Sequence, residues 1–128
     1  MKTRILVVDD DAEFTETLRD LLEIEKYSAR AICCSDDALK KVKKEKFDIV
    51  LMDIKMPVMN GIEVLKEIKK IARAPAVILM TGFTGEDLIQ EALDEGALAV
   101  LYKPLDIPEL LQRLDAIRDQ AARGDSHD

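Results

Sequence analysis

The chain has 128 residues, enough for one domain with a proper core and too few for two ordinary ones. Hydrophobic residues make up 48% and charged residues 35%, and 26 acids against 19 Lys and Arg leave a net charge of -7. That balance argues against a nucleic-acid surface, which needs clustered cations, and fits poorly with docking on anionic lipid; at 4%, aromatics offer no platform for stacking bases.

Met1-Lys2-Thr3-Arg4 leads into a short apolar run ending at Asp9, with no visible signal peptide. No window reaches the length of a transmembrane helix, so no membrane contact is expected. Thr3–Val8 reads as a buried strand closed by Asp9-Asp10-Asp11. From Ala12 to Glu25, apolar residues at Phe14, Leu18, Leu21, Leu22 and Ile24 follow helical spacing. Tyr27–Cys33 alternates and reads as a strand near a sheet edge. Cys33 and Cys34 are adjacent and lack the spacing of a loop-closing disulfide, a zinc site or a redox motif. Two reduced thiols at a strand end, one facing inward, are expected, in a cytoplasmic protein.

Ser35 can cap a helix that turns Ala38, Leu39 and Val42 inward and Lys40, Lys41, Lys43 and Lys44 outward. The lysines read as a solvated helix face, diluted by Asp36, Asp37 and Glu45. Phe47–Met52 is a third, wholly apolar strand, followed at once by Asp53. Pro57 denies the next residues a helix, and Asn60-Gly61 starts one expected to run to Ala72. Ala76–Met80 is a fourth strand, stopped by Thr81-Gly82. Thr84 and Asp87 have capping-box spacing for a helix ended by Gly96. Leu98–Tyr102 is the fifth strand, before Lys103-Pro104. Asp106 can cap a last helix with Pro108 in its first turn. Residues 1–122 are expected to form the domain, and 123–128 a polar, frayed tail.

Strands alternating with helices predict an α/β fold: one doubly wound (βα)5 domain, flavodoxin-like, with a parallel five-stranded sheet of order 2-1-3-4-5. The apolar strands are central and the alternating second strand lies at an edge. That order brings Asp9, Asp10, Asp53, Thr81 and Lys103 to one rim, where open α/β sheets bind ligands. Carboxylates ~4 Å apart repel by on the order of 4 kcal/mol per pair at an effective dielectric of 20. A hard divalent cation relieves this and draws in phosphate; Mg²⁺ suits oxygen ligands. Thr81 can donate to a phosphoryl oxygen, Lys103 can pair with another, and Asp53 is placed as the nucleophile. Where one of the three leading acids serves only as a helix cap, Asp11 is the expected one.

From Thr3 to Ala122 the chain resembles the receiver domain of two-component response regulators. The resemblance rests on ILVVDD at 5–10, LMDIKMPVMNGIEVL at 51–65, ILMTG at 78–82 and the Lys103-Pro104 pair, in that order and spacing. It implies that Asp53 is the phosphoacceptor and that Asp9 and Asp10 serve Mg²⁺, Asp10 more directly. It also implies the Lys55 backbone carbonyl as a further ligand and a cis Lys103–Pro104 bond. Such a domain takes its phosphoryl group from a sensor histidine kinase or a histidine phosphotransfer protein and loses it slowly by hydrolysis. It is not otherwise an enzyme. Its output is altered binding of a downstream protein target or effector domain through the face of the fourth helix, fifth strand and fifth helix, with no direct contact to nucleic acid.

The family's usual aromatic, three positions before the lysine, is Val100 here. Tyr102, one residue before Lys103, is expected on the other face of the sheet. The conformational signal is then expected to involve a smaller Val100 shift, or to lean on the loops and the fourth helix. His127, the only histidine, lies in the tail, so the phosphoryl donor must be another molecule. The rival readings are a Mg²⁺-dependent phosphohydrolase with an Asp nucleophile, a receiver-fold docking module without phosphorylation, and a flavodoxin-like cofactor binder. No P-loop or dinucleotide fingerprint supports the last.

Overall fold

A computed structural model describes residues 2–82 and 85–125. Ten elements alternate: β1 (Arg4–Val8), α1 (Ala12–Ile24), β2 (Ser28–Ile32), α2 (Ser35–Lys44), β3 (Ile49–Asp53), α3 (Gly61–Ile68), β4 (Ala76–Thr81), α4 (Glu86–Asp94), β5 (Ala99–Tyr102) and α5 (Ile107–Asp125). The strands form one parallel sheet of order β2-β1-β3-β4-β5, as expected. β1, β3 and β4 occupy its middle, and their apolar runs are buried because helices cover both sheet faces.

The pleat sends alternate side chains to two cores. Leu6, Val8, Val50, Met52, Val77 and Leu79 meet Ala38, Val42, Ile62, Leu65 and Ala92 from α2, α3 and α4. Ile5, Val7, Ile49, Leu51, Ile78 and Met80 meet Leu18, Leu22, Leu110 and Leu114 from α1 and α5. Parallel strands end together, so the last residues of β1, β3, β4 and β5 share one rim. On the far side of the domain Tyr27, buried at the entrance to β2, donates its hydroxyl hydrogen bond to Asp115 of α5.

Several boundaries differ from the expectation. α3 stops at Ile68, not Ala72: the chain tightens through Lys70 N–H to Glu67 C=O and Ile71 N–H to Ile68 C=O, then turns left-handed at Arg73 (φ 57°). Ile71 still packs on the core, which carries the helical periodicity past the helix itself. Cys34, not Ser35, is the N-cap of α2, and both cysteines are exposed, because they lie in the loop after β2 has ended. Gly85 is the N-cap of α4, and Thr84, the expected cap, lies outside the described residues. α5 continues to Asp125, three residues beyond the expected boundary.

Tyr102, too, differs from the expectation. Val100 packs toward the α2–α3–α4 core and Leu101 toward the α1–α5 core. The two-residue pleat therefore puts Tyr102 on the side of Val100, where it is 51% exposed. His127 lies outside the described residues.

Candidate functional site

β1 ends at Val8 and delivers Asp9 to the rim, where its backbone N–H bonds the Ile32 carbonyl at 3.2 Å. Asp9 is 1% exposed; Asp10 faces solvent. Asp11 caps α1, its carboxylate accepting from Phe14 N–H at 3.1 Å, so it is occupied as the sequence implied. Asp53 is the last residue of β3, 7% exposed, and Thr81 is the last residue of β4, 1% exposed. The Thr81 carbonyl accepts the Lys103 N–H at 2.8 Å, which fixes where the chain leaves β5. The Lys103–Pro104 peptide is cis.

The loop from Ile54 to Asn60 is held from both ends. Ile54 N–H bonds the Met80 carbonyl at 2.9 Å, and Gly61 N–H bonds the Ile54 carbonyl at 2.7 Å. Asn60 and Glu63 then form a reciprocal capping box, each side chain accepting from the other's backbone N–H at 2.9 Å. Ser35 Oγ donates to the Pro57 carbonyl at 3.3 Å, tying this loop to the start of α2. Val58 takes a left-handed conformation, φ 72°, and is 83% exposed.

The acids converge as expected: Asp9, Asp10 and Asp53 each bring a carboxylate oxygen within 4.8 Å of the others. Lys103 Nζ hydrogen-bonds Asp9 and lies 3.4 Å from Asp53 Oδ2. Burial pushes the Asp53 carboxyl above its usual range, and the Asp9 charge adds to this; Lys103 and the Lys55 N–H pull the other way. Asp10, although it faces solvent, is also raised, first by partial loss of water around its carboxyl and then by its hydrogen bond to Asp9 and the Asp9 charge. Burial works against the Lys103 ammonium, but the Asp9 hydrogen bond and the charges of Asp53 and Asp9 outweigh it and raise its pKa.

Three carboxylates against one ammonium leave an excess of negative charge on hard oxygen donors, a set that fits Mg²⁺. Beside them opens a cavity of about 470 Å³ lined by Asp10, Ile54, Lys55, Met56, Pro57, Asn60 and Leu88. Phe14, whose helical spacing in the sequence marks it only as a residue of the apolar stripe of α1, takes part in the site. Its ring lies 4.7 Å from Lys103 Nζ and supports the ammonium from the α1 side. Its place three residues after the Asp11 cap was the available signal, since the first turn of α1 faces the rim.

The family model for the response regulator receiver domain matches residues 5–115. The chain is 41% identical over 114 residues to the transcriptional regulatory protein ZraR of Salmonella typhimurium, covering 89% of this chain and 26% of that protein. It is 40% identical over 110 residues to the sporulation initiation phosphotransferase F of Bacillus subtilis, covering 86% of this chain and 89% of that one. It thus spans about a quarter of the first relative and most of the second. Among solved structures, a CheY-like response regulator receiver domain protein from Methanospirillum hungatei superposes with a TM-score of 0.89 at 30% identity, over 96% of this chain and 99% of that chain. The beryllofluoride-activated NtrC4 receiver domain dimer gives 0.84 at 30% identity, over 91% and 97%. No helix among the described residues is long and apolar enough to cross a membrane. The chain belongs to the response regulator receiver domain family of two-component signalling.

Proposed function

We propose that Asp53 is the phosphoacceptor of this receiver domain. The observation that carries the reading is the Asp53 carboxylate itself. It is buried at the end of the central strand β3, beside two further acids, with Lys103 Nζ 3.4 Å away. The donor is a phosphohistidine on a sensor histidine kinase or a histidine phosphotransfer protein, in the cytoplasm. An Asp53 oxygen attacks phosphorus. The P–N bond breaks, its electron pair goes to the imidazole nitrogen, and an acyl phosphate forms. In the slow reverse of signalling, water attacks phosphorus, the P–O bond to Asp53 breaks, and carboxylate and inorganic phosphate result.

The attacking carboxylate must be ionised, and burial opposes that. Lys103 and the Lys55 N–H hold the charged form. Lys103 then exchanges Asp53 for a phosphoryl oxygen, and Thr81 donates to another. Asp9, Asp10, Asp53 and the Lys55 backbone carbonyl would hold Mg²⁺, which when bound neutralises charge developing on the phosphoryl oxygens. The remaining work is positioning, supplied by the doubly anchored loop from Ile54 to Gly61.

Output runs through the α4–β5–α5 face, where Leu93, Leu98 and Tyr102 are exposed, toward a protein target or effector domain. With Val100 partly buried and Tyr102 already outside, the change leans on α4. The test is intact-mass detection after incubation with acetyl phosphate. A single phosphoryl adduct should accumulate with Mg²⁺ and vanish with EDTA. Equal yields in both would overturn the metal assignment.

A further inference from the structure

The end of the sheet opposite Asp53 carries a second concentration of charge, of the other sign. We propose that the groove between the end of α2 and the α3–β4 loop binds a small diphosphate anion. The groove is a cavity of about 260 Å³ whose rim includes Lys43, Lys44, Lys46 and Arg73, with Ile71 and Pro75 as apolar wall. By sequence alone Lys43 and Lys44 belong to a solvated helix face. Folding adds Lys46 from the loop before β3 and Arg73 from a separate loop before β4, so the four cations surround one concavity.

Among the described residues none of these four has a carboxylate oxygen within 4.0 Å, and only Lys43 feels a nearby acid outside the rim, Glu67. The single acid on the rim, Glu45, is already held by Arg4 at 2.8 Å and Lys41 at 2.6 Å. Lys43 and Lys44 have an ordinary reason to be there, since cations suit the last turn of a helix. Lys46 and Arg73 lie outside any helix and have no such reason. Arg73 moreover occupies a left-handed backbone conformation, φ 57°, that glycine would take at lower cost.

The size of the groove and the charge of the whole chain select the ligand class. At a Debye length of roughly 8 Å, an ion seated between these side chains feels mainly the four nearby cations, the Glu45 charge on the rim being offset by Arg4 and Lys41. A long nucleic acid would have to lie across the rest of a surface whose net charge is -7. A diphosphate, inorganic or as the diphosphate of a nucleotide, matches clustered Lys and Arg, with Ile71 and Pro75 left to contact an organic part. The site does not depend on the role given to Asp53.

Isothermal titration of the whole chain with inorganic pyrophosphate, at low ionic strength and with EDTA, tests this. One saturable site that weakens with added salt is expected. Arg73→Gly and Lys46→Ala should each weaken it by roughly fivefold or more, and Arg73→Lys should restore part of the loss. Arg73→Gly relieves the left-handed arginine, so it should melt no lower than the wild type, which separates lost binding from lost folding. ADP as a second titrant distinguishes the sources: tighter binding than pyrophosphate points to a nucleotide, equal binding to the diphosphate alone. Absence of saturable binding, affinity unchanged in both variants, or saturable binding of an acidic peptide or duplex DNA in place of pyrophosphate would overturn the proposal.

Discussion

Lys103 Nζ lies 3.4 Å from Asp53 Oδ2 while it hydrogen-bonds Asp9, so one ammonium joins the acid at the end of β3 to the acid after β1. Lys103→Ala should therefore do two things. Phosphorylation by acetyl phosphate should slow by on the order of 10²-fold, because a charge aimed at the phosphoryl group is lost. Stability should fall by about 1–3 kcal/mol, because the buried Asp9 loses its cation. Lys103→Arg should recover more stability than rate, since a planar fork is not a point charge. Rates from intact mass and urea melts on the same variants check both.

Gly61 is packed against the backbone of Asp53. A Cβ there would overlap the Asp53 carbonyl oxygen and stand 2.9 Å from Ile54 Cα, both backbone atoms that cannot rotate away. Gly61→Ala should cost about 1–3 kcal/mol by overpacking. It should also shift Asp53 and lower the phosphorylation rate even in the folded fraction. A variant with wild-type stability and rate would show that the loop has slack.

Val58 is a β-branched residue at φ 72° with 83% of its surface exposed. Left-handed backbone at such a residue costs of order 1–3 kcal/mol, of which glycine's greater unfolded freedom returns about 0.5–1. Val58→Gly should thus stabilise the fold by roughly 1 kcal/mol. Thermal unfolding of the two proteins decides it, and an unchanged or lower midpoint would contradict the strain.

Glu45, hydrogen-bonded first by Lys41 and then by Arg4, has its carboxyl lowered from 4.5 to about 2. Between these values the unfolded chain binds more protons than the folded one, so these two ion pairs stabilise above pH 4.5 and their contribution fades as the pH falls toward 2. Both ion pairs are partly solvated, so the effect is small. Side-chain carboxyl NMR should give a midpoint near pH 2, and Glu45→Gln should be less stable than wild type at pH 6 but not near pH 2. A midpoint near the ordinary value would mean the ion pairs do not persist in solution.

The sheet was legible because its central strands are unbroken apolar runs, Leu6–Val8, Ile49–Met52 and Val77–Met80, that only a two-sided cover can bury. The rim followed from topology, since Asp9, Asp53, Thr81 and Lys103 each come at or just past the end of a strand. Details set by neighbours were not legible. Ile71 keeps the period of α3 while the backbone has already left the helix. Phe14 satisfies a helical stripe and also meets Lys103 from 89 positions away. Tyr102 lies on the face of Val100 and not on the expected opposite one, as two residues along a strand share a face.

The phosphoryl group is expected to land on Asp53. Wild type and Asp53→Asn, each incubated with acetyl phosphate and Mg²⁺, should be compared by intact mass. A single phosphoryl adduct on the wild type and none on the variant is the predicted result. An adduct of equal yield on both proteins would contradict it.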